Sequence, residues 1–145
     1  MAALSAFMQG EVSKKGVDYM EEAIVTYLNS CKMPQFATRA TLLSTLFLKD
    51  RQMYGEAAKQ LIRMTSEDSD LRSALLLEQA SYCFLYSTKP SMFRKYAFHM
   101  VLAGHRFSKA GQKKHALRCY KQAFQVKTKN FDCAMNIFFN LFLLF

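Results

Sequence analysis

The stretch from Pro90 to Val126 most constrains the fold, because its apolar residues recur at helical spacing in two consecutive runs. The first run contains Phe93, Ala97, Met100, Val101, Gly104 and Phe107, and the second contains Ala116, Leu117, Tyr120, Ala123 and Phe124. A helical turn takes about 3.6 residues, so each set falls on one face of a helix. Residues 109–112 alone separate the runs, which makes the two helices double back on each other. The stretch therefore predicts an antiparallel helical hairpin.

Small residues lie where the two helices of this hairpin would cross, at Gly104, Ala116 and Ala123. A glycine inside a helix costs roughly 1 kcal/mol relative to alanine, so close packing is the expected reason for Gly104. Gly104, Ala116 and Ala123, together with Phe107, Gly111 and Tyr120, fall in the register of the tetratricopeptide consensus, which the hairpin therefore resembles. The consensus Trp, Leu and terminal Pro are missing, so the pattern indicates a degenerate helical repeat.

Four further helical patterns precede the hairpin and are joined by short links. They run over residues 17–31, from Pro34 to about Lys49, over residues 54–64, and from about Leu71 to Tyr86. In the second pattern the predicted apolar stripe consists of Ala37, Ala40, Leu43 and Phe47, with the neighbouring Leu42 and Leu46. We interpret the chain as all-α, with about six helices in antiparallel hairpins stacked as a tetratricopeptide-like α-solenoid. The expected domains are a loosely ordered lead-in (1–16), a helical-repeat domain (17–127) and an apolar C-terminal tail (128–145).

The charge of the chain is unevenly distributed. The net charge is +9, and residues 89–129 hold eleven Lys or Arg and no Asp or Glu. A candidate contact for an acidic partner or anionic lipid consists of Lys109, Lys113, Lys114, Arg118 and Lys121. We expect these side chains to point away from a buried stripe containing Leu117 and Phe124. The plainer alternative is a solvated helix face. Nucleic acid is not an expected partner, because the aromatic residues are predicted on buried faces and not among the cations.

The sequence contains no convincing catalytic or metal-binding pattern. His115 and Cys119 are four residues apart, but no second pair of ligands accompanies them. His99 and His105 have no carboxylate nearby, since residues 79–131 contain none. The four cysteines (Cys31, Cys83, Cys119, Cys133) lie in apolar patterns, which indicates buried free thiols and an intracellular protein. We therefore predict no enzymatic activity, no metal, no cofactor and, without a stretch of about 20 apolar residues, no membrane span.

The amino-acid sequences of two segments, 33–64 and 76–126, resemble a central part of the large TRAPPIII-specific subunits of the trafficking protein particle (TRAPP) complexes. The resemblance ends at Val126, which suggests a short or alternatively spliced form. It implies a non-enzymatic helical-repeat scaffold of a vesicle-tethering complex that acts in transport from the endoplasmic reticulum to the Golgi and in autophagy. The implied partners are other TRAPP subunits and, indirectly through the complex, a Rab GTPase.

The resemblance also implies a cytoplasmic location, peripheral to Golgi and early secretory membranes, with weak or no direct membrane contact. The alternative function is a peripheral membrane-binding module that uses the basic 89–129 hairpin on anionic lipid. No active-site residue is implied by the resemblance.

Overall fold

A computed structural model describes residues 14–65, 69–87 and 92–130, and within these ranges it describes side chains from residue 16 to residue 125. The described chain is entirely α-helical and contains six helices: α1 Lys14–Asn29, α2 Pro34–Asp50, α3 Tyr54–Arg63, α4 Asp70–Tyr86, α5 Phe93–Lys109 and α6 Lys113–Asn130. The predicted all-α class and the number of helices are thereby confirmed. The lead-in up to residue 13 and the tail from residue 131 lie outside the described residues, so the proposed division into domains stays a prediction.

The ends of the helices follow from local chemistry. Pro34 lies in the first turn of α2, where its missing N–H costs no hydrogen bond. The Ser69 hydroxyl accepts a hydrogen bond of 3.4 Å from the backbone N–H of Arg72 and so caps α4. Gly111 adopts a φ of +75° in the link between α5 and α6, a conformation that suits glycine. The link between α2 and α3 makes the same kind of reversal with a non-glycine residue, Gln52, at a φ of +61°.

Each helix packs chiefly against the helices before and after it in the sequence. Tyr54 at the start of α3 meets Tyr86 at the end of α4, with ring centroids 6.1 Å apart. Asp70 at the start of α4 binds Arg106 near the end of α5, and Phe107 of α5 lies 5.4 Å from the His115 ring of α6. Neighbouring helices are therefore antiparallel, and the helices form a stack of hairpins. The tetratricopeptide-like detail stays a prediction.

Polar side chains also join helices that are two apart in the sequence. Lys49 of α2 donates a hydrogen bond of 3.1 Å to the Oε1 atom of Gln79 on α4, and Tyr82 of α4 donates one of 3.2 Å to the Oε1 atom of Gln122 on α6. The helices α2, α4 and α6 thus lie side by side, and we call them the even layer. Helix α4 is its central member and exposes a single stripe, which includes Leu71, Leu75 and Gln79.

Helix α2 differs from the prediction. Leu42, Leu43 and Leu46 are exposed, at 45%, 47% and 59% of their surface. The buried side instead carries Ala37, Thr41, Ser44, Thr45 and Leu48. The hydroxyls of Thr41 and Thr45 donate to carbonyl oxygens of their own helix at 2.9 Å, whereas the buried Ser44 hydroxyl has no hydrogen-bond partner among the described residues. Small side chains let α2 approach its neighbours closely, and the leucines are left on the outside.

Candidate protein-binding surfaces

The predicted basic contact lies at the turn between α5 and α6 and along α6. Lys109 ends α5, Lys113 and Lys114 begin α6, and Arg118 and Lys121 follow on its exposed surface. Lysines in the first turn of a helix lie at the positive end of its dipole, so Lys113 and Lys114 do not stabilise α6 there. The five residues thus lie at this turn and along the first half of α6, and their role stays a prediction.

Two cations of the hairpin are bound to carboxylates of α4. The guanidinium of Arg118 donates to Oε1 and Oε2 of Glu78 at 2.7 and 2.9 Å, and the Glu78 side chain is only 8% exposed. Arg106 donates to Asp70 at 2.6 Å and thereby lowers the pKa of that carboxyl below 3.8. Sequence reasoning missed both pairs because it looked for carboxylates only near the hairpin in sequence, whereas both lie one helix earlier. Arg118 is thus an inter-helix link, and the four lysines carry the accessible charge.

Leu117 and Phe124 were expected in the buried stripe, and that expectation is wrong. They are 55% and 53% exposed, whereas Ala116, Cys119 and Ala123 form the buried side of α6. Tyr120 of α6 packs over Gly104 of α5. The fully buried residues of α6 have small side chains. The exposed surface of α6 therefore mixes lysines with two large apolar side chains.

Gly104 lies where α5 and α6 cross. A Cβ atom placed there would lie 2.6 Å from Cε1 of Tyr120, closer than real Cβ contacts allow. Ala116 and Ala123 are buried on the facing side of α6. The helix-crossing role of the three residues stays a prediction.

The thiols and imidazoles do not form a reactive site in the described part of the chain. Cys83 and Cys119 are buried, and burial raises the pKa of Cys119 to about 11, so this thiol stays protonated at neutral pH. Cys31 is exposed, contrary to the prediction, because it lies just beyond the end of α1; Cys133 lies outside the described residues. His115 packs against Phe107. Among the described residues, no three potential ligands come together to hold a metal ion.

A second surface, not anticipated from the sequence, lies on the outer side of the even layer. We call Leu42 and Leu46 of α2 with Leu71 and Leu75 of α4 the leucine patch; all four are exposed, at 44–59% of their surface. Beyond its end is a cleft of about 420 Å³, lined by Lys49, Asp50, Tyr54, Gln79, Tyr82, Cys83 and Tyr86. The signal that could have revealed it is the row of threonines and serines in α2, which suits a closely packed face better than the leucines do.

Within the described residues, no helix combines the length and the apolar character that crossing a bilayer requires. No protein-family model matches the chain. The chain is, however, 63% identical over 127 residues to the human trafficking protein particle complex subunit 8. The predicted resemblance to TRAPP subunit 8 is confirmed. The match covers 87% of this chain and 9% of the length of TRAPP subunit 8, so the similarity concerns a small part of that protein.

Proposed function

We propose that this chain is a non-enzymatic helical-repeat scaffold that supplies protein-binding surface to a TRAPP vesicle-tethering complex. The observation that carries the proposal is the 63% identity over 127 residues to human TRAPP subunit 8. The partners in this proposal are other TRAPP subunits, and a Rab GTPase is reached only through the assembled complex. The setting is transport from the endoplasmic reticulum to the Golgi and autophagy, on the cytoplasmic side of Golgi and early secretory membranes.

The geometry supports a role in binding proteins. The leucine patch places four large apolar side chains in water, where contiguous apolar surface is typical of an interaction site. Covering such surface stabilises a complex by roughly 25 cal/mol for each Å² removed from water. The proposal includes no catalytic step.

The proposal is tested by purifying the tagged full chain from cells and measuring the recovered TRAPP subunits by mass spectrometry. We expect these subunits to be enriched with the native chain. A Met100→Asp variant is the control, because a carboxylate at this fully buried position disrupts the core while the chain stays basic. Equal recovery with the native chain and the disrupted control would show that the capture is non-specific and would contradict the proposal.

A second candidate function is direct binding to anionic membranes, and the exposed surface of α6 favours it. Leu117 and Phe124 lie among Lys113, Lys114 and Lys121, which is the mixture found in helices that lie in a membrane interface. Each cation near an anionic surface contributes about 1 kcal/mol, and salt screens this attraction over about 8–10 Å.

The membrane candidate is tested with vesicles containing phosphatidylserine, on the full chain and on a form that ends at residue 130. The variant reverses Lys113, Lys114 and Lys121 to Glu but keeps Arg118, because a Glu at that position would face the buried Glu78. We expect weak binding in every form. Strong binding that falls with salt and is lost in the triple variant would favour the membrane module over the scaffold.

A further inference from the structure

The leucine patch has a defined geometry, because one hydrogen bond joins its two stripes. On α2, Leu42, Leu46 and Lys49 recur at steps of four and three residues, so they share one side of the helix. On α4, Leu71, Leu75 and Gln79 recur at steps of four. Lys49 donates to Gln79 at 3.1 Å, so both stripes face the same outer surface of the even layer.

The leucines of the two stripes lie at matching heights. Helices α2 and α4 are parallel, since each is antiparallel to α3. Leu46 lies three residues before Lys49, and Leu75 lies four residues before Gln79, so these two leucines are level. Leu42 and Leu71 are level one turn further back. The four exposed side chains therefore form two rows at matching heights, one on α2 and one on α4, and we call the surface between these rows the groove.

The groove continues past the Lys49–Gln79 bond into the tyrosine-lined cleft of about 420 Å³. From Leu71 to Tyr86 the exposed stripe of α4 spans fifteen residue steps, or about 22 Å at the helical rise of 1.5 Å per residue. This length matches about four turns of a second helix laid along the groove. Leu71 and Leu75 form the apolar start of this stripe, Gln79 follows, and Tyr82 and Tyr86 line its far end; exposed leucines at successive turns are the usual setting for an amphipathic helix.

The charges along the groove are mainly positive. Arg39 is exposed and extends the α2 stripe at one end, and Lys49 lies at the middle. The acids of α4 are engaged elsewhere, Asp70 with Arg106 and Glu78 with Arg118. On the two helices that form the groove, Asp50 is left as the exposed carboxylate.

We infer that the groove between α2 and α4 binds an amphipathic helix of a partner protein, about four turns long, with an apolar stripe flanked by Asp and Glu. The apolar stripe covers Leu42, Leu46, Leu71 and Leu75, and the acidic flanks meet Arg39 and Lys49. This inference rests on the proposed function, in that it assigns the kind of partner that the scaffold holds.

The test measures the affinity of the full chain for two designed sixteen-residue helical peptides by fluorescence anisotropy. Both peptides carry the same leucine stripe; one is flanked by Glu and the other by Lys. We expect the Glu-flanked peptide to bind at least tenfold more tightly, with the preference decreasing as salt is added. Equal affinity for the two peptides would overturn the inference.

Variants of the chain locate the binding. Leu46→Glu combined with Leu75→Glu should abolish binding of the Glu-flanked peptide, and Arg39→Glu combined with Lys49→Glu should reverse the preference between the peptides. The matched control is Phe98→Glu, which changes an equally exposed large apolar residue on α5 and should leave the affinity unchanged. Since all four changed positions of the two double variants are on the surface, helical circular dichroism should be retained. Binding that survives in the leucine variant would overturn the inference.

Other occupants give different results. A dimer that depends on concentration and is lost in the Leu46→Glu, Leu75→Glu variant would assign the groove to a second copy of this chain. Amide protection of residues 131–145 that is lost in the same variant would assign it to that segment. Either result overturns the inference.

If TRAPP subunits co-purify equally with the native chain and with this variant, the scaffold role stands and the groove is not its binding site. Peptide preference without recovery of TRAPP subunits supports the groove and contradicts the proposed function.

Discussion

Helices α2 and α5 are both seventeen residues long and both carry recurring apolar residues, yet they differ in the size of the side chains that they bury. Helix α5 buries several large side chains, among them Tyr96, Met100 and Phe107, and exposes Phe98. Helix α2 buries alanine, threonine, serine and one leucine, Leu48, and leaves Leu42 and Leu46 in water. Large buried side chains contribute most of the apolar area that stabilises a fold, whereas exposed ones are available to a partner. We therefore expect stability to depend mainly on α5, and the proposed recognition to depend on α2.

The largest expected change in stability follows from substituting Met100 on α5. Met100→Ala should lower the free energy of unfolding by about 2–5 kcal/mol, because a fully buried side chain leaves a cavity. Leu46→Ala, the matched change on α2, should alter it by less than about 0.5 kcal/mol. Urea unfolding followed by circular dichroism measures both. A loss for Leu46→Ala as large as that for Met100→Ala would mean that α2 packs through its leucines.

A smaller effect is expected where α5 crosses α6. Gly104→Leu should destabilise the fold by roughly 1–3 kcal/mol, since the new side chain must displace the Tyr120 ring. Gly55→Ala on α3 is the control, because a Cβ there meets nothing within 4 Å. That substitution should be neutral or stabilising by up to about 1 kcal/mol. Thermal unfolding of the two variants compares the sites, and unchanged stability of Gly104→Leu would refute the close crossing.

The Arg118–Glu78 pair that links α6 to α4 is expected to contribute less to stability still. Arg118→Met keeps the aliphatic stem but leaves the buried Glu78 carboxylate without this cation, at a cost of about 1 kcal/mol. The value is at the low end because the Arg118 side chain is 47% exposed and water screens the pair. Lys121→Met, one turn further along α6, should cost less than about 0.5 kcal/mol. Equal unfolding midpoints in urea for the two variants would show that the Glu78 pair does not stabilise the fold.

The smallest effect is a dependence on pH that originates in α5. Burial lowers the pKa of His99 below 6.5, and its Nδ1–H donates to the Lys95 carbonyl at 2.7 Å. As the pH falls below about 6.5, His99 binds a proton in the unfolded chain before it does so in the folded chain. The free energy of unfolding therefore decreases until the pH reaches the lower pKa of the folded state. Unfolding midpoints at pH 7.5 and 5.5 should therefore differ less for His99→Asn, which retains a donor for the carbonyl. An identical difference for the native chain and this variant would exclude His99 as the source.

The helices themselves could be predicted from the sequence, because a period of 3.6 residues and caps such as Ser69 are local signals. The sequence also indicates close packing at Gly104, because a glycine inside a helix costs stability unless another helix packs against it. In contrast, the sequence did not predict which side of α2 and which side of α6 is buried. Leu46 and Leu117 look like core residues in a periodic pattern, and whether they are buried depends on neighbours that the pattern does not contain. The partner of Arg118 lies forty residues earlier, at Glu78, which proximity in sequence does not reveal.

The sequential packing of the helices has a consequence for how the chain loses its structure. No distant part of the described chain closes back on another, so each helix is held by its neighbours, as in repeat proteins whose stability is a sum of local interfaces. Such a chain opens from its ends in steps, and its parts need not melt together. Helix α4, with α3 and α5 packed on it and with side-chain bonds to α2 and α6, is the element that should open last. Helix α1, which packs mainly on α2, should open well before it, so partial unfolding can remove one end of the stack while the groove beside α4 persists.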